Sequence, residues 1–300
     1  MLKKIFKKGY SYFLNQEVKK NKELQKNSNL IFFKNGQIPW SEGYVNHKEQ
    51  SIIKNISDET VLNLFATKQI PLNYGFRLDE RIVEYPWIFA NLKKEQTIFL
   101  DAGSTFNFEY LLNNKFLENK EKYIYTFYPE DKSYNNKRIS YVYGDLRHLP
   151  FRNDFFEEIV CQSTIEHIDM DNSMYGYDLK STLGIVTNKN YEYLKVINEL
   201  LRVIKINGQL LLTFPFGRFE NHGFFQQLDE EMVEKITSKM DFLGDYELTF
   251  FKYLPEGWII STQEDCKESE SFNPHTQKGK KYDFAAHSRA ICCVKFNKNK

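Results

Sequence analysis

Tyr191-Glu-Tyr-Leu-Lys-Val-Ile-Asn-Glu-Leu-Leu-Arg-Val-Ile-Lys-Ile-Asn-Gly-Gln-Leu-Leu-Leu-Thr-Phe214 is the stretch whose reading decides the fold. Its first part places Tyr193, Leu194, Ile197, Leu200, Leu201 and Ile204 on one helical face, which predicts an amphipathic helix from Tyr191 to Ile204. Asn207-Gly208 follows, and both residues tolerate the left-handed backbone that ends a helix. Gln209 to Phe214 is then apolar almost throughout, as a strand buried on both faces must be. A helix handing over to such a strand is one unit of an α/β domain, whose parallel sheet is covered by helices on both sides.

The same alternation extends upstream. Thr97–Leu100, Lys122–Phe127, Ile139–Tyr143 and Glu158–Cys161 read as four further strands, with a helical pattern from Phe108 to Leu117. Downstream, a helix over about 227–240 precedes two β-rich runs, 246–261 and 289–296, which are expected to form an antiparallel hairpin at one sheet edge. Residues 1–90 read instead as helices and loops, with a solvated Lys/Asn/Gln-rich stretch at 15–28. The expected organisation is an N-terminal helical extension over 1–90 and an α/β domain over 91–300.

Composition narrows the function. Lys+Arg number 41 against 40 Asp+Glu, so there is no basic excess to neutralise a nucleic-acid backbone, and no nucleic-acid partner is expected. Cys161, Cys266, Cys292 and Cys293 form no C-x-x-C pair, which points to reduced thiols and a cytoplasmic location, with no disulfide framework and no metal. No apolar run is long enough to span a bilayer. Leu2, Ile5, Phe6, Phe13 and Leu14 recur near helical spacing, which suits either a membrane-surface contact or an ordinary packed helix.

Ligands of an open parallel sheet bind beyond the carboxyl ends of its strands. The loops there are Asp101-Ala-Gly-Ser-Thr-Phe-Asn107, Gly144-Asp-Leu-Arg-His-Leu-Pro-Phe151, Gln162-Ser-Thr-Ile-Glu-His167 and Pro215-Phe-Gly-Arg-Phe-Glu-Asn-His-Gly223. Four polar loops converging on one edge make a pocket. Taken with the Glu199–Thr213 run, these motifs resemble the class I S-adenosylmethionine (SAM)-dependent methyltransferases, firmly over about 97–215. The flanks at 79–87 and 221–227 look like a bacterial subgroup of those enzymes.

The resemblance implies a Rossmann-like, seven-stranded, mostly parallel sheet with a C-terminal antiparallel hairpin, and SAM as cofactor. It assigns the methionine and ribose part of SAM to Asp101, Gly103, Ser104 and Thr105, and the ribose hydroxyls to Glu130, with Asp131 as the second match. Asp145 and Leu146 fall at adenine, and Gln162 and Ser163 under the sulfonium. The family loop is richer in glycine than this one. Asn107 is expected to replace a glycine by taking positive φ, which β-branched Thr105 cannot do cheaply.

His167 and His222 are the candidate catalytic bases, since an oxygen nucleophile must lose its proton; each could instead cap or pack its own segment. Arg218 could meet an anionic acceptor or pair with Glu220. Asp169–Tyr177 could line the acceptor pocket, and Glu80, Arg81 and Glu84 could reach it from the extension. The implied acceptor is a small molecule or saccharide. Two other readings stay open: a SAM-fold binding or regulatory protein without turnover, and a nicotinamide-dependent oxidoreductase or epimerase. The second lacks the G-x-G-x-x-G turn that cradles a pyrophosphate.

Overall fold

A computed structural model describes residues 27–173 and 188–300. The possible membrane-surface residues of the N-terminus and the Tyr175–Tyr177 part of the candidate acceptor loop therefore lie outside the described residues. In chain order the strands are β1 (Ile98–Ala102), β2 (Glu121–Thr126), β3 (Ile139–Tyr143), β4 (Phe156–Gln162), β5 (Ile204–Pro215), β6 (Glu220–Asn221), β7 (Gln226–Gln227), β8 (Gly244–Leu254), β9 (Gly257–Ser261) and β10 (Ala290–Lys298). Eight of them form one sheet in the order β3-β2-β1-β4-β5-β10-β8-β9. β1 to β5 are parallel, while β10 runs antiparallel to both β5 and β8. The mostly parallel α/β architecture expected from the sequence is what the chain adopts.

Three details differ from the sequence reading. The run 246–261 is itself a hairpin, β8 turning into β9, and β10 inserts between β5 and β8 instead of closing an edge pair, which makes the sheet eight-stranded. The helix over Tyr193–Val203 stops before Asn207. Asn207, at φ 64°, instead sits in a bulge where β4 and β5 change register, so its left-handed backbone bends a strand. The Phe108–Leu117 helix is two short helices, Glu109–Leu112 and Lys115–Glu118, because the Asn114 side chain accepts the Phe116 N–H and starts a new turn.

Alternation along the central strands feeds two cores. On one face Leu210, Leu212, Cys292 and Val294 meet Val196, Ile197 and Leu200 of the Tyr193–Val203 helix and Ile236 of the Glu230–Met240 helix. On the other, Leu211, Ile291 and Cys293 meet Ile52, Phe65, Trp87 and Phe89 from the helices Tyr44–Ser57, Glu59–Ala66 and Arg81–Asn91. Each such side chain contributes about 1.5–3 kcal/mol by burial. Residues of the N-terminal extension and of the sheet thus share a core. Pro86 lies inside the Arg81–Asn91 helix and cannot donate to the Ile82 carbonyl; the Tyr74 hydroxyl donates to it instead at 2.9 Å.

The amino ends of β1, β2 and β4 are pinned by a buried pair. Lys120 Nζ donates to Glu158 Oε2 at 2.6 Å, to Thr97 Oγ1 at 2.9 Å and to the Lys93 carbonyl at 2.8 Å. Both side chains are essentially inaccessible to water. Removing one charge leaves the other buried and uncompensated, a cost of about 3–5 kcal/mol. Lys120→Met is therefore expected to lose about that much stability in urea unfolding, and Lys120→Met/Glu158→Gln to recover part of it. A loss below about 1 kcal/mol in the single variant would contradict the assignment.

Candidate functional site

The strand order reverses between β1 and β4, which makes the crevice between their outgoing loops the switch point of the sheet. The two loops touch. Gly103 has φ 123°, and a Cβ there would lie 2.2 Å from Thr164 Oγ1, so only glycine allows the approach. Ser104 on one side and Ser163 on the other are both left-handed, at φ 60° and 40°. Backbone held in such a conformation costs about 1–3 kcal/mol at each residue and gathers at functional sites.

Asp101, next to last in β1, is fully buried and turns its carboxylate toward the loop that follows. Oδ1 accepts the Thr105 N–H at 3.1 Å and Oδ2 the Phe106 N–H at 2.8 Å. Burial pushes its pKa up to about 7, against the opposing pull of these two amides. Asn107 does not take positive φ. The expectation that it replaces a glycine is overturned because Gly103 and Ser104 make the turn, leaving Asn107 to act through its side chain. Its Nδ2 donates to Glu130 Oε2 at 2.9 Å, and its Oδ1 accepts from the Tyr141 hydroxyl at 2.9 Å. That bond brings Glu130 to the β1 loop across the longer connection after β2.

Asp145 follows β3 and is engaged by Arg147. Oδ1 accepts the Arg147 backbone N–H at 2.8 Å and Nε at 3.1 Å; Oδ2 accepts Nε at 3.0 Å and Nη2 at 2.7 Å. Three N–H groups of Arg147 thus engage the carboxylate, the Nε–H shared between its two oxygens. Leu146 beside it is buried. Arg147 reaches on to Glu192 at 2.9 Å, fixing this corner to the Tyr193–Val203 helix.

A second polar centre lies at the ends of β4 and β5. The fully buried carboxylate of Glu84 accepts from Ser163 Oγ at 2.6 Å, Thr213 Oγ1 at 2.6 Å, Gln162 Nε2 at 3.2 Å and Arg81 Nη1 at 2.5 Å. Next to it is a cavity of about 190 Å³ lined by Trp40, Lys48, Asp79, Glu80, Arg81, Ser163, Glu166, His167, Phe224, Pro274, His275 and His287. Lys48 pairs with Asp79 at 2.6 Å, and His287 Nδ1 with Glu80 at 3.0 Å. Burial works against the Glu80 charge, but the His287 ring and Arg81 outweigh it and hold the carboxyl below its ordinary range. Glu166 goes the other way: burial, with Glu84 adding to it, raises its carboxyl pKa well above the usual range.

His167 reaches this cavity and His222 does not. The His167 Nδ1 lies 2.7 Å from the Phe224 carbonyl, which can only accept, so Nδ1 carries the proton and Nε2 the lone pair. Burial, with smaller contributions from His287 and Arg81, depresses its pKa to about 4 despite that hydrogen bond. His222 stacks on Phe225 at 4.4 Å, with Nε2 3.5 Å from Glu220. Arg218 pairs with Glu270 and not with Glu220. Lys48, His275 and His287 join the cavity from segments remote from His167 in sequence, and no local spacing marks them. No cluster of His, Cys, Asp or Glu among the described residues has the geometry to hold a metal ion. No helix among them is long and apolar enough to cross a membrane.

No protein-family model matches the chain, and no curated protein does. Solved structures similar to it include the N-methyltransferase NodS from Bradyrhizobium japonicum WM9 in complex with S-adenosyl-L-homocysteine. That match is 9% identical over 84% of this chain and 99% of that one, with TM-score 0.40. The 1,6-didemethyltoxoflavin-N1-methyltransferase of Burkholderia thailandensis is 10% identical over 69% of this chain and 72% of that one, with TM-score 0.38. The [4+2]-cyclase SpnF is 14% identical over 80% of both chains, with TM-score 0.39. Likenesses this distant carry no function with them, which has to come from the site.

The His167 geometry sets a pH dependence. The folded ring binds its proton less tightly than an unfolded histidine of pKa 6.5, so the unfolded chain takes up the extra proton between pH 6.5 and about 4. Its contribution to stability is complete above 6.5 and is lost as pH falls through that window. The His167 ring resonances should titrate near pH 4, and the stability difference between wild type and His167→Asn should shrink from pH 7 to 4. A midpoint at 6 or above would contradict the buried, neutral ring.

Proposed function

We propose that the chain is a SAM-dependent methyltransferase acting on a small-molecule acceptor, with the cofactor at the β1/β4 switch point and the acceptor's reactive group in the adjoining polar cavity. The observation that carries this reading is the way Asp101 spends the Thr105 and Phe106 amides on itself. A loop built for a pyrophosphate aims such amides at the ligand. Here they face the buried Asp101 carboxyl, so they are not available to cradle a pyrophosphate, which weighs against a nicotinamide dinucleotide. Ser104 Oγ and Gln162 Oε1 are buried without a hydrogen-bond partner on opposite sides of the crevice, as groups awaiting a polar ligand would be. The switch-point residues in this respect fit SAM.

In that reading Gly103, Ser104 and Thr105 hold the amino-acid part, Glu130 the ribose hydroxyls and Asp145 with Leu146 the adenine, while Gln162 and Ser163 floor the crevice. When bound, SAM supplies a methyl group already activated by a sulfonium, so the protein's task is placement, exclusion of water and removal of one proton. His167 suits the last task, because its neutral ring keeps a lone pair on Nε2 at neutral pH. Glu166, whose carboxyl pKa is pushed up by burial, faces the same cavity. His222, outside this cavity, is the weaker candidate. The saturation of Asp145 by Arg147 favours a second reading, a SAM-fold binding protein without turnover; SAM binding with no release of demethylated product from any acceptor would select it.

Isothermal titration calorimetry tests the cofactor. Wild type should bind SAM with micromolar affinity, and Asp145→Ala should weaken it at least tenfold, about 1.4 kcal/mol. Arg147→Ala should tighten it by freeing the Asp145 oxygens. No heat from wild type at millimolar SAM would overturn the reading.

A further inference from the structure

The polar cavity does not end at Trp40. Trp40 and Pro274 also line a second, larger cavity of about 410 Å³, walled by Ile38, Phe272 and Phe284, with Lys280 and Lys281 in its wall. The two cavities share those walls and therefore adjoin, one with ionisable groups all round and the other mainly apolar. Of the three exposed aromatic rings of the second cavity, Trp40, Tyr282 and Phe284, two sit on strained backbone. Trp40 has φ 65° and Phe284 φ 54°, a left-handed conformation that bulky side chains rarely adopt. Yet Trp40 stays 46% exposed and Phe284 42%. Their surroundings hold them there. The Trp40 indole N–H donates to the Ala286 carbonyl at 2.7 Å, and the Arg77 guanidinium stacks 3.7 Å from the Phe284 ring centre.

Strained aromatics held in place but left open to solvent are poor for stability and well suited to contact with a ligand. With its one donor already used, the Trp40 indole offers a π surface only. Charge supplies the rest of the specificity. The wall carries two lysines and, among the described residues, no carboxylate. Lys281 is paired with Glu270 at 2.7 Å, whereas the Lys280 ammonium is held by the neutral Gln277 amide oxygen at 3.0 Å. A cation anchored by a neutral group keeps its charge available to an anion.

We infer that this groove binds the non-reacting body of the acceptor, and that the acceptor is an aryl compound bearing an anionic group. Its ring packs on Trp40 and Phe284, its anion meets Lys280, and its reactive group extends past Trp40 and Pro274 toward His167. The word acceptor rests on the methyl-transfer reading; the binding chemistry of the groove does not. A saccharide would need several fixed polar partners, and the groove offers mainly apolar wall.

Titration calorimetry on the full chain without SAM reads the groove alone, using 2-naphthyl phosphate as an anionic aryl probe, 2-naphthol as its neutral counterpart and glucose 1-phosphate as an anionic sugar. The naphthyl phosphate should bind at least tenfold more tightly than either of the others. Lys280→Glu, a change at an exposed position, should weaken it at least fivefold. Trp40→Ala should remove binding, and Trp40→Phe should restore most of it if the ring surface is what matters. Equal binding of 2-naphthol, preference for glucose 1-phosphate or indifference to Lys280→Glu would overturn the assignment. Probe binding by a chain that fails to bind SAM would leave the groove standing and remove methyl transfer; SAM binding without probe binding would do the reverse.

Discussion

Glu84 is a charge that the rest of the functional edge is built to hold. Its carboxylate, shut off from water, survives only because a helix partner, two strand-end hydroxyls and an amide all donate to it. Those donors belong to different parts of the chain: Arg81 to the helix before the sheet, Gln162 and Ser163 to the end of β4, and Thr213 to the end of β5. One buried anion thus fixes the N-terminal extension to the sheet at the switch point, and with it the neighbouring Glu80 and Arg81 on the cavity wall. Breaking the cluster would strand a charge and release three segments together.

The opposite end of the sheet follows the same physics with a different outcome. There Lys120 and Glu158 satisfy each other and the nearby backbone, leaving a closed structure. At the functional edge the account does not close. Ser104, Gln162 and Glu166 each keep a buried oxygen without a partner, and several residues hold left-handed backbone. Buried oxygens left without a protein partner beside a crevice are expected where a ligand completes the structure. The region also divides by polarity, with buried carboxylates at the switch point, mixed ionisable groups around His167, and an apolar, lysine-bearing groove beyond Trp40.

The sheet was legible in the sequence because its signal is local: apolar runs such as Gln209–Phe214 cannot be anything but buried, and their alternation with helices settles the layering. The placement of β10 between β5 and β8 was not, since strand order depends on long-range pairing that two β-rich runs do not specify. Asn207 shows the limit of local chemistry, because its left-handed preference was real but served a bulge and not a helix end. At the crevice, the loops after the strands could be located from position, while the roles given to their residues came from the family resemblance. Asn107 was misread because its side chain, not its backbone, was the part used. Lys48, His275 and His287 could not be found at all, since only the tertiary fold brings them to His167.

The proposed cofactor site requires the loops leaving β1, β3 and β4 to enclose SAM together. Hydrogen–deuterium exchange with and without S-adenosylhomocysteine tests it most directly, because it reports where a ligand sits without requiring the acceptor. The account predicts slowed exchange in the segments 103–107, 145–147 and 162–164, with little change around Lys120 and Glu158. No protection in those three loops at millimolar ligand, or protection confined to another face of the sheet, would contradict it.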